Sequence, residues 1–342
     1  PVVPYMTGDP IASLAGLSNA EISQDSLLYT TAGLKVFDEY GGWDGWIGGP
    51  CTPDEIQSAA IFPLKILVPG RELPDHYMYQ IREEEVMTIH DYAKICEAGF
   101  GDFYYQDYLW RVTSLSQEQV SRNIENLALR TFAHLGELDK RGITYLSVTY
   151  SLHPFFMLSL MRSFVRVTED LYNRTEMVLR TLDVMTDEMI PKMIALTQSS
   201  GVGRIQLVEE RASAYTYPLS IFERFWWPYT QKIVESFWSE GIITLFHLDT
   251  PWTKNLQYFT RLPRGSFILG LDSTTDIFYA KEILNGHAAI YGDVPASLLS
   301  IGQPAEVEAY VKKLIDRVGD GGGFILGTGC SAPPDMKREN FK

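Results

Sequence analysis

Three segments between residues 242 and 293 repeat one design, an apolar run that ends on a polar residue able to do chemistry. They are Ile242-Ile243-Thr244-Leu245-Phe246-His247-Leu248-Asp249, Phe267-Ile268-Leu269-Gly270-Leu271-Asp272 and Ala288-Ala289-Ile290-Tyr291-Gly292-Asp293. A fourth, Gly323-Phe324-Ile325-Leu326-Gly327-Thr328-Gly329-Cys330, ends on a cysteine. Apolar runs of this length without alternation are the signature of strands buried on both faces, as in a parallel sheet. The stretches between them are long enough for crossover helices. In a closed parallel barrel the working residues stand just past the carboxyl ends of the strands. His247, Asp249, Asp272, Asp293 and Cys330 all occupy such positions.

The same rhythm runs through the rest of the chain. Strands are expected near residues 64, 144, 205, 243, 267, 289 and 324, with an eighth hidden in 100–112 or just after 160. Trp43 to Pro50 reads as a glycine- and tryptophan-rich loop, and Arg71 to Val86 as a polar stretch in which Glu83, Glu84 and Glu85 form a solvated face. Ser116 caps a long amphipathic helix with Gln119 three residues on, and Gly142 stops it. Glycine-rich turns of the dinucleotide-binding kind are missing after the early strand. Alternation without that turn favours an α/β fold of the (β/α)8 TIM-barrel kind over a doubly wound sheet. We expect the barrel over 61–342, with 1–60 as an N-terminal extension packed on it.

Composition narrows the function classes. A formal net charge of −14 weighs against a nucleic-acid partner, whose phosphates would call for lysine and arginine. The apolar runs fall short of the roughly 20 residues that span a bilayer, and the start lacks the pattern of a signal peptide. Three scattered cysteines, Cys51, Cys96 and Cys330, suit a reducing cytoplasm better than a disulfide framework. The chain opens on Pro1 and stops at Lys342 in what reads as a helical turn, so residues are expected to be missing at both ends.

A histidine nitrogen, a thiolate and one or two carboxylates form a natural set of zinc ligands. In His247-x-Asp249 the two side chains of an extended segment point the same way, and Cys330 arrives from the last strand of the ring. Three protein ligands leave a fourth position for water or substrate. Glu209, at the end of an earlier strand, is a candidate fourth ligand or general acid. Other readings stand beside these: a cysteine at a strand end is often a small buried residue, and Asp272 and Asp293 are also suited to capping helices.

Longer motifs carry a resemblance. Tyr291-Gly292-Asp293-Val294-Pro295-Ala296-Ser297-Leu298-Leu299, Gly302-x-Pro304, Val307-Glu308-Ala309-Tyr310, Gly321-Gly322-Gly323-Phe324-Ile325-Leu326-Gly327-Thr328-Gly329-Cys330 and Pro333-Pro334-Asp335 resemble the uroporphyrinogen decarboxylase superfamily. Within it they are most similar to the corrinoid-dependent methyltransferase branch, in particular its O-demethylating members. The likeness extends back through Pro154-Phe155, Gln206-Leu207-Val208-Glu209, Phe222-Glu223-Arg224-Phe225 and Pro228-Tyr229, so it covers about residues 140 to 342.

The resemblance implies a (β/α)8 barrel that moves a methyl group to or from the cobalt of a corrinoid (cobalamin) carried on a separate protein. Several members bind zinc through His-x-Cys and a late Cys. The matching positions here are His247, Asp249 and Cys330, so a carboxylate replaces one thiolate. An oxygen-richer site suits polarising an ether or alcohol oxygen rather than activating a thiol. The expected activity is therefore methyl transfer from an O-methyl donor, an aromatic methyl ether, with His247, Asp249 and Glu209 as the catalytic set. Tyr150, Phe155 and Tyr104 are expected to hold the planar ring, with Asp272 and Asp293 near the substrate. Expected partners are the corrinoid protein and the small-molecule methyl donor, and a homodimer is admitted. The alternatives are methyl transfer from methylcorrinoid to a thiol, a metal-free decarboxylase using Asp272 or Asp293 as the acid, and a non-catalytic binding barrel. For a decarboxylase of porphyrinogens the strand ends carry too many acids and too few arginines.

Overall fold

The apolar runs pair side by side. In the computed structural model, which describes Pro1–Lys342, β5 (Thr149–Leu152), β6 (Arg204–Glu209), β7 (Ile243–Leu248), β8 (Phe267–Leu271), β9 (Ala289–Val294) and β10 (Phe324–Thr328) form one parallel sheet in that order. Register sets His247 opposite Val208 on one side and Gly270 on the other. Both faces are buried, which is why these strands read as continuous apolar runs.

The arc is closed by segments that carry no strand signal of their own. Pro1 to Met6 lies between β10 and β1 (Gly45–Trp46): Val3 N–H donates to the Leu326 carbonyl, Asp44 N–H to Val2 and Met6 N–H to Ile47. β1 pairs in parallel with β4 (Thr144–Tyr145), and β4 runs on through bends at Leu146 and Val148 into β5. The Arg204 guanidinium bridges the first bend by donating to the Tyr145 and Leu146 carbonyls. Eight staves result, and the fold is the TIM barrel expected. The ring interior is filled by Val3, Ile47, Leu146, Leu245, Ile268 and Tyr291, one from each of six staves. Burying each such side chain is worth roughly 1.5–3 kcal/mol, so the short N-terminal staves are held by the same apolar layer as the long ones. A much larger apolar cluster lies between the ring and its helices.

Three expectations need correction. The run near residue 64 is not a stave: β2 (Lys65–Leu67) pairs antiparallel with β3 (Gln80–Arg82) in a hairpin outside the ring. Neither 100–112 nor the stretch after 160 holds the eighth strand, since Phe100 to Val112 is helical, with a π-helical turn at Tyr104–Tyr108, and Phe164–Asn173 is a helix. The loop expected at 43–50 contains β1, so residues 1–60 supply two staves as well as the helices packed outside them. The long helix falls where its caps place it, at Gln117–Lys140, with the Ser116–Gln119 capping box formed. No helix is long and apolar enough to cross a membrane.

Candidate metal centre

At the carboxyl-terminal mouth of the ring the ligand atoms of His247, Asp249 and Cys330 lie within 4.8 Å of one another. His247 Nε2 is 3.4 Å from Asp249 Oδ1 and 3.8 Å from Cys330 Sγ. Carboxylate and sulfur thus approach the same ring nitrogen. A nucleophilic triad would instead set the acid on one nitrogen and the thiol on the other. Donors converging on one point suit a cation between them. Asp249 Oδ1 is buried without a hydrogen-bond partner, an arrangement that costs free energy unless an ion or proton occupies the gap. The set of nitrogen, sulfur and oxygen donors fits zinc, with one coordination position left over. Burial works against charge on the His247 ring, but Asp249 and Cys330 outweigh it and raise its pKa well above the ordinary value.

The loops that present these donors are tied down. Past β7 the chain turns through Thr250 in a left-handed conformation, a costly one for a β-branched residue. Asp272 accepts the Thr250 amide (2.9 Å), which holds that turn, and accepts the Thr274 amide (2.9 Å) with its other oxygen. Cys330 follows Gly329, where a Cβ would come within 2.9 Å of the Asp272 carbonyl carbon. Only glycine lets the two loops approach so closely. The N-terminal stave completes the support: Tyr5 N–H donates to Thr328 Oγ1 (3.2 Å) and the Ala332 amide to the Tyr5 carbonyl (2.9 Å).

Other expected residues divide sharply. Tyr150 faces the interior, where the charges of Glu210 and Asp249 reach its phenol. Phe155 does not; it is buried against Tyr217. Tyr104 lies outside the ring among Phe100, Tyr105 and Tyr108. Large aromatic rings in helices find more apolar area between layers than at a wet mouth. Asp272 is spent on the turns just described. Asp293 is buried and accepts from the Tyr310 hydroxyl (2.8 Å) on an outer helix, and burial lifts its carboxyl to about 7.

Glu209 is fully buried behind the ring rather than among the metal donors. Its Oε1 accepts the backbone amides of Arg211 (2.8 Å) and Ala212 (3.2 Å), and its Oε2 the Trp226 indole (2.8 Å). Burial raises its pKa to about 8. The reason is strand parity: Gln206 points inward to Tyr5, so Val208 and residue 210 share its face, and Glu209 points out.

The residues that sequence reasoning missed are therefore Glu210, Tyr5, Gln206 and Tyr79. Glu210 stands beside Asp249 across the β6–β7 register, and burial together with the Asp249 charge raises its pKa to about 7. Tyr5 sets the edge of its ring against His247, centroids 5.4 Å apart, and accepts a hydrogen bond from Gln206. Tyr79 comes from the hairpin loop, and burial, followed by Asp9, Tyr5, Cys51 and Cys330, pushes the pKa of its phenol up. Counting in twos from Gln206 would have found Glu210; nothing local marks Tyr5 or Tyr79.

Fold and site together define a TIM barrel with a three-donor centre at its mouth. A family model described as uroporphyrinogen decarboxylase (URO-D) matches residues 150–342, more than half of the chain. The chain belongs to that family. Among curated relatives, uroporphyrinogen decarboxylase of Cellvibrio japonicus is 26% identical over 185 residues, 52% of this chain and 49% of that protein. The methylcobamide:CoM methyltransferase MtbA of Methanosarcina mazei is 28% identical over 162 residues, 47% of this chain and 45% of that protein. The matches thus span about half the length of these relatives. A solved methyltransferase from Methanosarcina mazei superposes with a TM-score of 0.71 at 15% identity, covering 99% of this chain and 90% of that one. That likeness places the whole chain, N-terminal staves included, in the same fold.

Proposed function

We propose that the chain is a methyltransferase that moves a methyl group from an O-methyl donor, an aromatic methyl ether, to the corrinoid of a partner protein. The observation that carries this reading is the convergence of His247, Asp249 and Cys330 on one point, with a buried carboxylate oxygen left without a donor. Zinc held there would act as a Lewis acid on the ether oxygen and stabilise the charge that develops as the methyl group leaves.

The remaining work belongs to the chain's own residues. Tyr5 accepts from Gln206 and so keeps its own proton free to donate to the departing oxygen. Tyr79 and Tyr150, whose phenols lie near Tyr5, would supply aromatic surface for a planar ring. Asp272 and Gly329 fix the loops of Asp249 and Cys330 so that the donors are preorganised. A second reading, methyl transfer from methylcorrinoid to a thiol, is favoured by the similarity to MtbA; the carboxylate at position 249 argues against it. The decarboxylase reading is disfavoured by a mouth that offers acids and phenols to a substrate rich in carboxylates.

The test is metal content by plasma mass spectrometry on the purified protein and its Cys330→Ala variant, followed by demethylation of methoxyarenes with a reduced corrinoid protein. About one zinc per chain, lost in the variant, together with methyl transfer from an arene, is the expected outcome. Metal in neither protein would sink the Lewis-acid reading. Turnover with thiols and methylcorrinoid, but none with arenes, would hand the site to the second reading.

A further inference from the structure

Glu210 has no place in the functional reading so far. It is the first residue past β6, on the inward face with Gln206, and opposite Asp249. Its backbone carbonyl takes the Thr250 hydroxyl (3.4 Å), while no salt bridge or side-chain partner engages its carboxyl. The nearest cation along the chain is turned away: Arg211 pairs with Glu83 (2.8 Å), donates to the Ser159 carbonyl and lies over the rings of Phe156 and Phe164. No lysine or arginine side chain forms a salt bridge, hydrogen bond or ring contact with Glu210, Tyr5, Tyr79 or Tyr150.

A neutral histidine with one carboxylate and one thiolate would balance a divalent ion. Glu210 then adds a negative charge at the mouth that no direct ion pair neutralises. The phenols beside it offer hydrogen bonds and ring faces but no positive charge. We propose that Glu210 is a specificity-determining residue that sets the charge of the methyl donor, so that the site takes neutral methoxyarenes and rejects carboxylated ones. The inference rests on the O-methyl reading above. A donor carboxylate about 6 Å from Glu210, at an effective dielectric constant of about 20, is weakened by about a hundredfold, and solvent reaching the mouth reduces that to about tenfold or more.

Two probes of equal shape separate charge from fit: 4-methoxybenzamide and 4-methoxybenzoate. Their binding to the purified protein is measured by calorimetry at pH 8, where the amide is neutral and the benzoate is ionised. The amide is expected to bind at least about tenfold more tightly than the benzoate. Glu210→Gln is expected to bring the ratio to within about threefold, whereas Glu210→Asp keeps the discrimination, with zinc content and circular dichroism confirming that both variants fold. Equal binding of the two probes to the wild type would overturn the charge rule and leave the O-methyl reading standing. An unchanged ratio in Glu210→Gln would remove Glu210 as its cause. Binding of neither probe would overturn the O-methyl reading itself, and this inference with it.

Discussion

Glu209 offers the sharpest test of the division between residues that act at the mouth and residues that build it. Its carboxyl serves three N–H donors, the buried ones of Ala212 and Trp226 and the half-buried one of Arg211. In Glu209→Ala all three lose their acceptor. At about 1–3 kcal/mol for each unsatisfied buried group, and with partial relaxation, the loss is about 3–5 kcal/mol. Glu209→Gln keeps a carbonyl for the two backbone amides but turns an NH2 group toward the Trp226 N–H, two donors face to face. One failed bond sets its cost at about 1–2 kcal/mol, and Trp226→Phe in the same background should recover part of it.

The pH dependence adds an independent sign. Glu209 is raised from 4.5 to about 8, with burial as the main cause. Between those values the folded chain holds a proton that the unfolded chain has released. The contribution is fully present below 4.5 and is lost as pH climbs to 8, at about 1.4 kcal/mol per unit. Urea unfolding of chelator-treated wild type and Glu209→Gln between pH 5 and 8 measures it, and the wild type should lose stability more steeply. Zinc content and methyl transfer, scaled to folded protein, should survive in Glu209→Gln. If that variant kept wild-type stability and pH slope but lost zinc or fell about a hundredfold in rate, Glu209 would be acting at the mouth and the parity argument would fail.

Three further outcomes follow from the same geometry. Asp249→Cys supplies a second thiolate and should tighten zinc binding while lowering turnover of ethers relative to thiols, read by competition with a chromogenic chelator and by parallel assays. Gly327→Ala places a Cβ 2.4 Å from Tyr291 Cε2 and 2.7 Å from the Val3 carbonyl, so the seam between β10 and the N-terminal stave should lose about 1–3 kcal/mol in denaturant titration. Asp293→Asn alters a carboxyl bound to Tyr310 rather than one of the converging donors and should change methyl transfer, scaled to folded protein, by less than about threefold, because the amide oxygen can still accept from the Tyr310 hydroxyl; a collapse in rate would revive Asp293 as an acid.

The legible part of this fold was the part buried on both faces. β6 to β10 announce themselves because each is a mainly apolar run, interrupted only by single polar residues or glycines, and each ends where chemistry is wanted. The first and second staves are a few residues long and borrow their partners from far away: Val3 bonds to Leu326, and Met6 to Ile47. Local sequence carries no trace of such pairings. The run near residue 64 misleads for the opposite reason, because a strand of an outside hairpin and a barrel stave can share the same short apolar core. Glu209 and Glu210 show the finest limit. Both stand at a strand end, and one residue of register decides which faces the ring. Gln206, polar inside an apolar run, was the available marker of the inward face.

Tyr5 joins the two halves of the argument. Its main chain belongs to the stave that closes the ring, and its side chain borders His247. Thr328 and Ala332, which flank Cys330, bond to the same residue. The cysteine of the candidate centre is therefore positioned by the first residues of the chain as well as by its own strand. The donors come from the ends of β7 and β10, and Tyr5 touches both sides of their meeting point. Contacts between the two ends of the chain, such as Tyr5 with Thr328 and Ala332, therefore help to set the geometry of its chemistry.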